Sequence, residues 1–221
     1  MKNISTLLGS LLILLGVYTS KVAAEGFTIG ANGILGAVEA SGTEHERTDK
    51  GDSQKTAHDA GAIFIGADIF AEYEWSNGLA IGYSMVPADA DIGSGKRTDT
   101  SARSDAGTDT GDRSASAELT DLTTIYATKT LGGSNSYILL GYHQATVTTA
   151  ETLPNSTYGD ADIDGFQVGI GTKVPVGNGA IRYELSYSDF DDITLNSSTG
   201  ATGQKITADV DAIQAKLGFN F

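Results

Sequence analysis

The sequence predicts an all-β fold, an eight-stranded antiparallel up-and-down transmembrane β-barrel, on three observations. Eight segments alternate apolar and polar residues with the period of two that is typical of strands with one apolar face. The connections between these segments alternate between long and short, which places all the short turns at one end of a barrel. The last segment, Ile213 to Phe221, has one apolar face and ends on an aromatic residue, as expected of a strand in contact with lipid.

The eight predicted strands follow from this alternation and from the turn residues between them. They cover, in order, 27–40, 62–75, 79–87, 118–130, 136–149, 162–176, 180–193 and 205–221. The short connections are 76–78, 131–135 and 177–179, and the first of them contains Asn77-Gly78, a strong hairpin signal. The long connections, 41–60, 88–117, 152–159 and 196–203, are polar and are interpreted as exposed loops.

The alternation also predicts which face of each strand points outward. It is weakest in the fourth strand, where Leu122, Thr124 and Tyr126 are predicted to face outward. In the second strand, three acidic residues share one face, and such a face cannot lie in hydrocarbon. That face is therefore predicted to line the interior of the barrel.

The first 24 residues predict a secretory signal peptide. Lys2 supplies the positive start, Leu7 to Val17 an apolar core, and Val22 to Ala24 the small residues of a cleavage site. The apolar core is shorter than the roughly 20 residues that a membrane-spanning helix needs. We therefore divide the chain into a signal peptide, 1–24, and one barrel domain, 25–221.

The composition excludes several classes of function. The formal net charge is −14, and it becomes −16 when Lys2 and Lys21 are removed with the signal peptide. Nucleic acid is not an expected partner, because affinity for phosphates comes from clustered Lys and Arg. The chain has no cysteine, so closure of the sheet, which pairs every backbone polar group, would have to supply the stability that disulfides supply elsewhere.

A set of charged residues is predicted to point into the barrel. A lumen this narrow is just wide enough for side chains to fill it, which favours mutually paired charges over a gated polar pathway. Both interpretations remain open for this lumen charge network, whose members are Asp68, Glu72, Glu74, Lys173, Arg182, Glu184 and Lys216.

No catalytic, metal or cofactor site is predicted. Asp160, Asp162, Asp164 and Gly165 are spaced like the start of a calcium loop, but Gly171 occupies the twelfth position, where a bidentate Glu is required. These aspartates are interpreted as a solvated rim, with cation bridging to lipid phosphates as the alternative. Around the three histidines, His45, His58 and His143, no Ser and acid occur at a recognisable spacing.

The chain resembles the small outer-membrane β-barrel proteins of Gram-negative bacteria, the group of the OmpA transmembrane domain, OmpX and the opacity-type porins. The resemblance lies in the signal peptide, the eight alternating segments, the alternation of long and short connections, and the terminal Phe221. The resemblance implies an integral outer-membrane location. It also implies an assembly signal made of Leu217, Phe219 and Phe221, with Lys216 in place of the usual Gly. Implied partners are outer-membrane lipid and lipopolysaccharide, the barrel assembly machinery and periplasmic chaperones, for a protein expected to be a monomer.

The expected function is structural or porin-like, a narrow passive pore at most, with long acidic extracellular loops and no enzymatic activity. Two alternatives stay open. One is an adhesive or ligand-binding surface built on the loops, and the other is an enzyme that modifies outer-membrane lipid.

Overall fold

The computed structural model describes residues 25–47, 53–99, 111–152, 157–198 and 205–221, and the predicted signal peptide lies outside them. These residues form an antiparallel sheet. Its strands are β1 (Gly26–Arg47), β2 (Ser53–Glu74), β3 (Leu79–Met85), β4 (Ala90–Asp99), β5 (Gly111–Thr130), β6 (Ser136–Thr152), β7 (Ala161–Val176), β8 (Gly179–Asn196) and β9 (Lys205–Asn220). No helix in this part of the chain is long and apolar enough to cross a membrane.

The sheet closes into a ring. Strands that are adjacent in sequence pair with each other, except β3 and β4; β1 pairs with β9, and β3 closes the circle by pairing with β5. Since β3 and β4 both lie against β5, one above the other, the nine strands occupy eight positions around the barrel. The predicted fold class is confirmed, with the third strand divided in two.

A local break separates β3 from β4. β3 ends with Met85 opposite Thr123, and β4 begins with Ala90 opposite Leu119. Pro87 lies between them and has no N–H to donate to a strand ladder. On the facing strand, Asp121 lies in a bulge and has a positive φ of 54°. The wall of the barrel is therefore irregular on both sides of this point.

The strands extend further than the sequence predicts. Much of the predicted loops 41–60 and 88–117 belongs to strands, because β1 continues to Arg47, β2 starts at Ser53, and β4 and the first part of β5 cover 90–99 and 111–117. The loop interpretation is wrong there. Outside an apolar environment neither face of a strand needs apolar residues, so a ladder of backbone hydrogen bonds forms on a sequence without alternation.

The two faces of the barrel have opposite character. Large apolar side chains point outward and are exposed, as on Ile65, Ile125, Leu140, Phe166 and Leu217. We call this outward belt, from the short turns to the level of Ala37 on β1, the apolar band. Its composition is that of a surface in contact with lipid.

One predicted face is wrong. Thr124 and Tyr126 point inward and are each 5% exposed, whereas Ile125 between them is 58% exposed. Tyr126 fits inside because its cross-strand neighbour is Gly82, where a Cβ would collide with the tyrosine ring. The absent side chain on β3 provides the space that the ring occupies.

The lumen has two layers. Near the short turns it contains charged and aromatic residues. Nearer the long connections it contains a cluster of buried apolar residues, which we call the upper apolar cluster: Val38, Ala145, Val147, Ile163, Phe190, Ile193, Val210 and Ala212.

Candidate functional site

The lower layer of the lumen is a single connected chain of ion pairs. All seven residues of the lumen charge network point inward from β2, β7, β8 and β9. Inward positions alternate with outward ones along each strand, so charges two or four residues apart share the interior. The structure brings all seven together in the order Asp68, Lys216, Glu184, Arg182, Glu72, Lys173 and Glu74.

Arg182 is the centre of this chain. Its side chain is 3% exposed, and its Nη1 and Nη2 lie 3.0 Å from Glu72 Oε2 and 2.8 Å from Glu184 Oε2. The guanidinium also lies over three aromatic rings, those of Phe70, Tyr126 and Tyr137, at 4.9 to 5.4 Å from their centroids. A planar guanidinium that is paired and stacked in this way is held in one orientation.

Two lysines extend the chain to either side. Lys173 Nζ contacts Glu72 Oε1 at 2.5 Å and Glu74 Oε2 at 2.8 Å. Lys216 Nζ lies 2.8 Å from Asp68 Oδ2 and 4.0 Å from Glu184 Oε1. Four carboxylates and three cations leave a formal charge of −1 on the network. Each carboxylate has at least one cation within reach, as buried charges require.

Two tyrosines complete the network, and the sequence prediction does not include them. Tyr126 donates from its hydroxyl to Glu72 Oε2 at 3.0 Å, and Tyr137 donates to Glu184 Oε2 at 2.9 Å. Both rings lie against a cross-strand glycine, Gly82 for Tyr126 and Gly171 for Tyr137. Inward glycines on a neighbouring strand leave room for large side chains, so these glycines could have predicted the two tyrosines from the sequence. Using them requires knowing the register between the strands.

Asn32 ends the network on the side of β1. Its Nδ2 donates to Asp68 Oδ1 at 2.6 Å, which orients the carboxylate that Lys216 contacts. A void of about 10 Å³ borders Asn32, Asp68 and Arg182. This is roughly the smallest space that holds one water molecule. This void leaves room for no more than about one water molecule beside the network, and we call the network the plug.

His143 is buried above the plug, and both of its ring nitrogens contact hydroxyl groups. It is 1% exposed and stacks on Phe190. Its Nδ1 lies 2.7 Å from Thr124 Oγ1, and its Nε2 lies 2.9 Å from Ser188 Oγ. A triad orients the histidine with an acid, whereas both ring nitrogens here contact hydroxyl groups. His45 and His58 lie on the upper parts of β1 and β2.

The aspartates of the calcium-loop-like segment accept hydrogen bonds from the neighbouring strand at the rim of the sheet. Asp160 Oδ1 accepts from the backbone N–H of Thr149 at 3.1 Å, and Asp162 Oδ1 accepts from Thr146 Oγ1 at 2.9 Å. No group of His, Cys, Asp or Glu in the described ranges is arranged to hold a metal ion.

The three residues of the predicted assembly signal lie on the outward face of β9 or directly after it. Leu217, Phe219 and Phe221 are 57%, 44% and 64% exposed. The backbone of Phe221 exchanges two hydrogen bonds with Ile29, at 3.0 and 3.1 Å, so the last residue completes the seam with β1. Recognition by the assembly machinery stays a prediction.

A closed antiparallel ring with an apolar outer face is the fold of the small outer-membrane β-barrels. Several solved structures of that class are similar to this chain. Neither a protein-family model nor a curated protein matches the sequence.

Three solved structures illustrate the likeness. The outer-membrane protein OprG from Pseudomonas aeruginosa has 13% identity and a TM-score of 0.51, over 90% of this chain and 98% of its own. Ail, the attachment invasion locus protein of Yersinia pestis, has 14% identity and a TM-score of 0.38, over 90% and 100%. The outer-membrane protease OmpT from Escherichia coli has 11% identity and a TM-score of 0.41, over 92% and 100%. With 13% identity and a TM-score of 0.51, the likeness to OprG shows the fold alone.

Proposed function

We propose that this chain is an integral outer-membrane protein, exported with the signal peptide 1–24, whose barrel is a structural element sealed against ions. The observation that carries the proposal is the plug, in which Arg182 joins Glu72 and Glu184 across the lumen. The porin-like function expected from the sequence would need a continuous aqueous path. An eight-stranded interior filled by paired side chains offers none at this level.

The seal follows from the energetics of the buried pairs. A permeating ion would have to separate Arg182 from its carboxylates, and a buried charge that loses its partner costs about 3–5 kcal/mol. The three stacked rings around the guanidinium also occupy the space into which it would have to move. We therefore expect the barrel to block ions even when a voltage is applied.

Planar-bilayer recording tests the seal. The reconstituted protein should produce no channel openings, whereas Arg182→Ala combined with Glu72→Ala should produce them. This double change removes one charge of each sign, so the formal charge of the network stays at −1. Heat-modifiable migration on a gel provides the check that both proteins are folded. Regular channel openings with the unaltered protein would contradict the proposal.

A second function is favoured by one specific observation, a seam without backbone pairing in the barrel wall, which we call the gap. β3 pairs with β2 only between Ile69 and Glu74. Above that point, no backbone pairing joins β2 to β4 in the residues that the structure describes. Among the described residues, 53–68 of β2 therefore have a hydrogen-bonded partner strand on one side only. β2 and β4 lie close together there, along a seam without backbone hydrogen bonds next to Pro87.

The gap connects two apolar regions. On the outside, Ile63 and Ile65 of β2 are 80% and 85% exposed within the apolar band. On the inside, Phe64, Ile92 and Leu122 pack against the upper apolar cluster. We propose that this unpaired seam opens, so that small apolar molecules exchange between the upper lumen and the surrounding lipid above a plug that blocks ions.

Cysteine labelling tests this lateral route, because the chain has no cysteine of its own. Ala62→Cys places a thiol on the inward face of β2 beside the gap, and a maleimide dissolved in the bilayer should label it. The matched control is Ala80→Cys on β3, an inward position that is 0% exposed and has paired strands on both sides. Equal labelling rates at the two positions would count against the opening.

We also propose that the chain is not an enzyme. The support is the environment of His143, whose ring nitrogens contact Thr124 and Ser188. Incubation with lipid A or with an acyl ester should give no product, and His143→Ala should change nothing. A hydrolytic activity that is lost in His143→Ala would refute this.

A further inference from the structure

A groove of about 500 Å³ runs over the outward face of β7, β8, β9 and β1, on the side that faces lipid. Its walls near the short turns are apolar, from Ile170, Leu185 and Ile213. Ala37 on β1 leaves it wide, because a methyl group stands where other strands carry a large side chain. The volume lies within the roughly 300–1,000 Å³ of sites that bind small ligands.

The upper end of the groove is a row of carboxylates at one level of three adjacent strands. Asp211 is the cross-strand partner of Asp189 on β8 and of Glu39 on β1. Tyr187, one level below, donates from its hydroxyl to Asp211 Oδ1. Neighbouring residues in such a row have Cβ atoms about 5 Å apart, a distance at which like charges destabilise a sheet.

No cation of the protein balances this row from below. Between the row and the short turns, the outward faces of these four strands carry no Lys or Arg in the described residues. The lysines of β7 and β9 below the row, Lys173 and Lys216, point into the lumen and are paired there. The groove thus combines an apolar floor with an anionic end at the edge of the apolar band.

We infer that the groove binds one alkyl chain of a cationic amphiphile, with its ammonium headgroup at the row of Asp189, Asp211 and Glu39. Charge complementarity selects the headgroup, since an anionic lipid would place its charge against three carboxylates. The apolar walls select an alkyl chain parallel to the strands. The inference rests on the proposed membrane location, but not on the plug or the lateral opening.

Spin-labelled lipids give a direct test. The protein is reconstituted into phosphatidylcholine vesicles with a spin-labelled stearyl ammonium, a spin-labelled stearic acid or a spin-labelled phosphatidylcholine. The fraction of label immobilised at the protein is read from the electron paramagnetic resonance spectrum. We expect the ammonium label to associate about threefold more strongly than the phosphatidylcholine label, the size typical of an exposed charge pair.

Two sets of substitutions test the headgroup site and the alkyl-chain site separately. Asp211→Asn with Glu39→Gln should reduce the ammonium label to the level of phosphatidylcholine, and it leaves Tyr187 an acceptor. Ala37→Trp should fill the groove and remove the same preference while the row of acids stays intact. Asp59→Asn and Ala71→Trp, on the outward face of β2, are the matched controls and should change nothing.

Three results would overturn the inference. They are equal association of the ammonium and phosphatidylcholine labels, a preference that survives Asp211→Asn with Glu39→Gln, and a preference for stearic acid that needs a divalent cation. If Ala37→Trp does not fold, Asp211→Asn with Glu39→Gln still tests the inference, because this pair of substitutions keeps the side-chain volumes. Flotation of the protein with the vesicles is measured separately, so failure of the proposed membrane location is recognised as such.

Discussion

Replacement of Arg182 by Met should be among the most destabilising single changes in the barrel. Met keeps much of the length of the side chain but removes its charge, so Glu184 keeps only Lys216 at 4.0 Å and the hydroxyl of Tyr137. Glu72 keeps Lys173. Because the side chains of Arg182 and both carboxylates are at most 3% exposed, water cannot replace the lost partner. We expect a loss of about 3–5 kcal/mol in the free energy of unfolding.

The assay is urea unfolding in lipid vesicles, followed by the fluorescence of Trp75 and by heat-modifiable migration. Arg182→Met combined with Glu184→Gln removes both members of one pair, so it should recover more than half of the loss. Lys129→Met is the exposed control. Its Nζ donates to a turn carbonyl, that of Asn77, and the change should cost about 0.5 kcal/mol or less.

A loss below about 1 kcal/mol for Arg182→Met would refute the reasoning, since it would mean that water reaches the carboxylates. The same conclusion would follow if Glu184→Gln failed to compensate. Either result would also weaken the proposed seal, because a hydrated network is compatible with ion passage.

Three further predictions concern other parts of the barrel. Gly82→Ala should destabilise the barrel by about 1–3 kcal/mol, because the new Cβ collides with the ring of Tyr126. Gly66→Ala has open space at its Cβ and should cost much less. Urea midpoints measure both changes. Desolvation, and then the carboxylates of Asp211, Asp192 and Asp189, raise the pKa of the exposed Asp209, so its ionised form opposes folding. Asp209→Asn should therefore raise the urea midpoint slightly at neutral pH, since water screens charges at an exposed site, and the gain should vanish as the pH falls below the ordinary aspartate pKa of about 3.9. Phe221→Ala should lower the fraction of chains that become heat-modifiable in cells. It should change the urea midpoint little, because the side chain is exposed. Equal assembly of the variant and the unaltered protein would contradict the assembly signal.

The fold could be predicted because the barrel imposes simple periodicity on its membrane part. In β2, Ile63, Ile65 and Ile69 alternate with Phe64, Asp68 and Phe70, and only one register puts the acid inside. Beyond the apolar band this information disappears, since Ser, Thr, Gly and Asp suit both faces of a wet strand. That is why the upper strands around 41–47 and 90–99 are indistinguishable from loops in the sequence.

The charged part of the site was predictable for the same reason, and its aromatic part was not. Acidic and basic residues on a face that alternates with apolar residues must point inward. Tyr126 is ambiguous, because a tyrosine suits both a lipid interface and a lumen. Only the register, which places it opposite Gly82, decides between the two.

The break at Pro87 illustrates a third kind of limit. The residue itself marks the end of the third strand in the sequence. Its consequence is that residues 53 to 68 of β2 have no second partner strand in the described part of the chain. This depends on the course of β4 and on the bulge at Asp121, in a strand more than thirty residues away. Such a combination of distant irregularities has no local signature.

The pairing of β1 with β9 also determines when the barrel can form. Gly30 pairs with Asn220, so the seam joins residues almost two hundred positions apart. Contacts this distant form late, because chain entropy opposes them until the intervening strands are in place. Until then β1 offers a long unpaired edge to any other strand it meets. A chain of this design is therefore most vulnerable to aggregation just before its last sixteen-residue strand arrives.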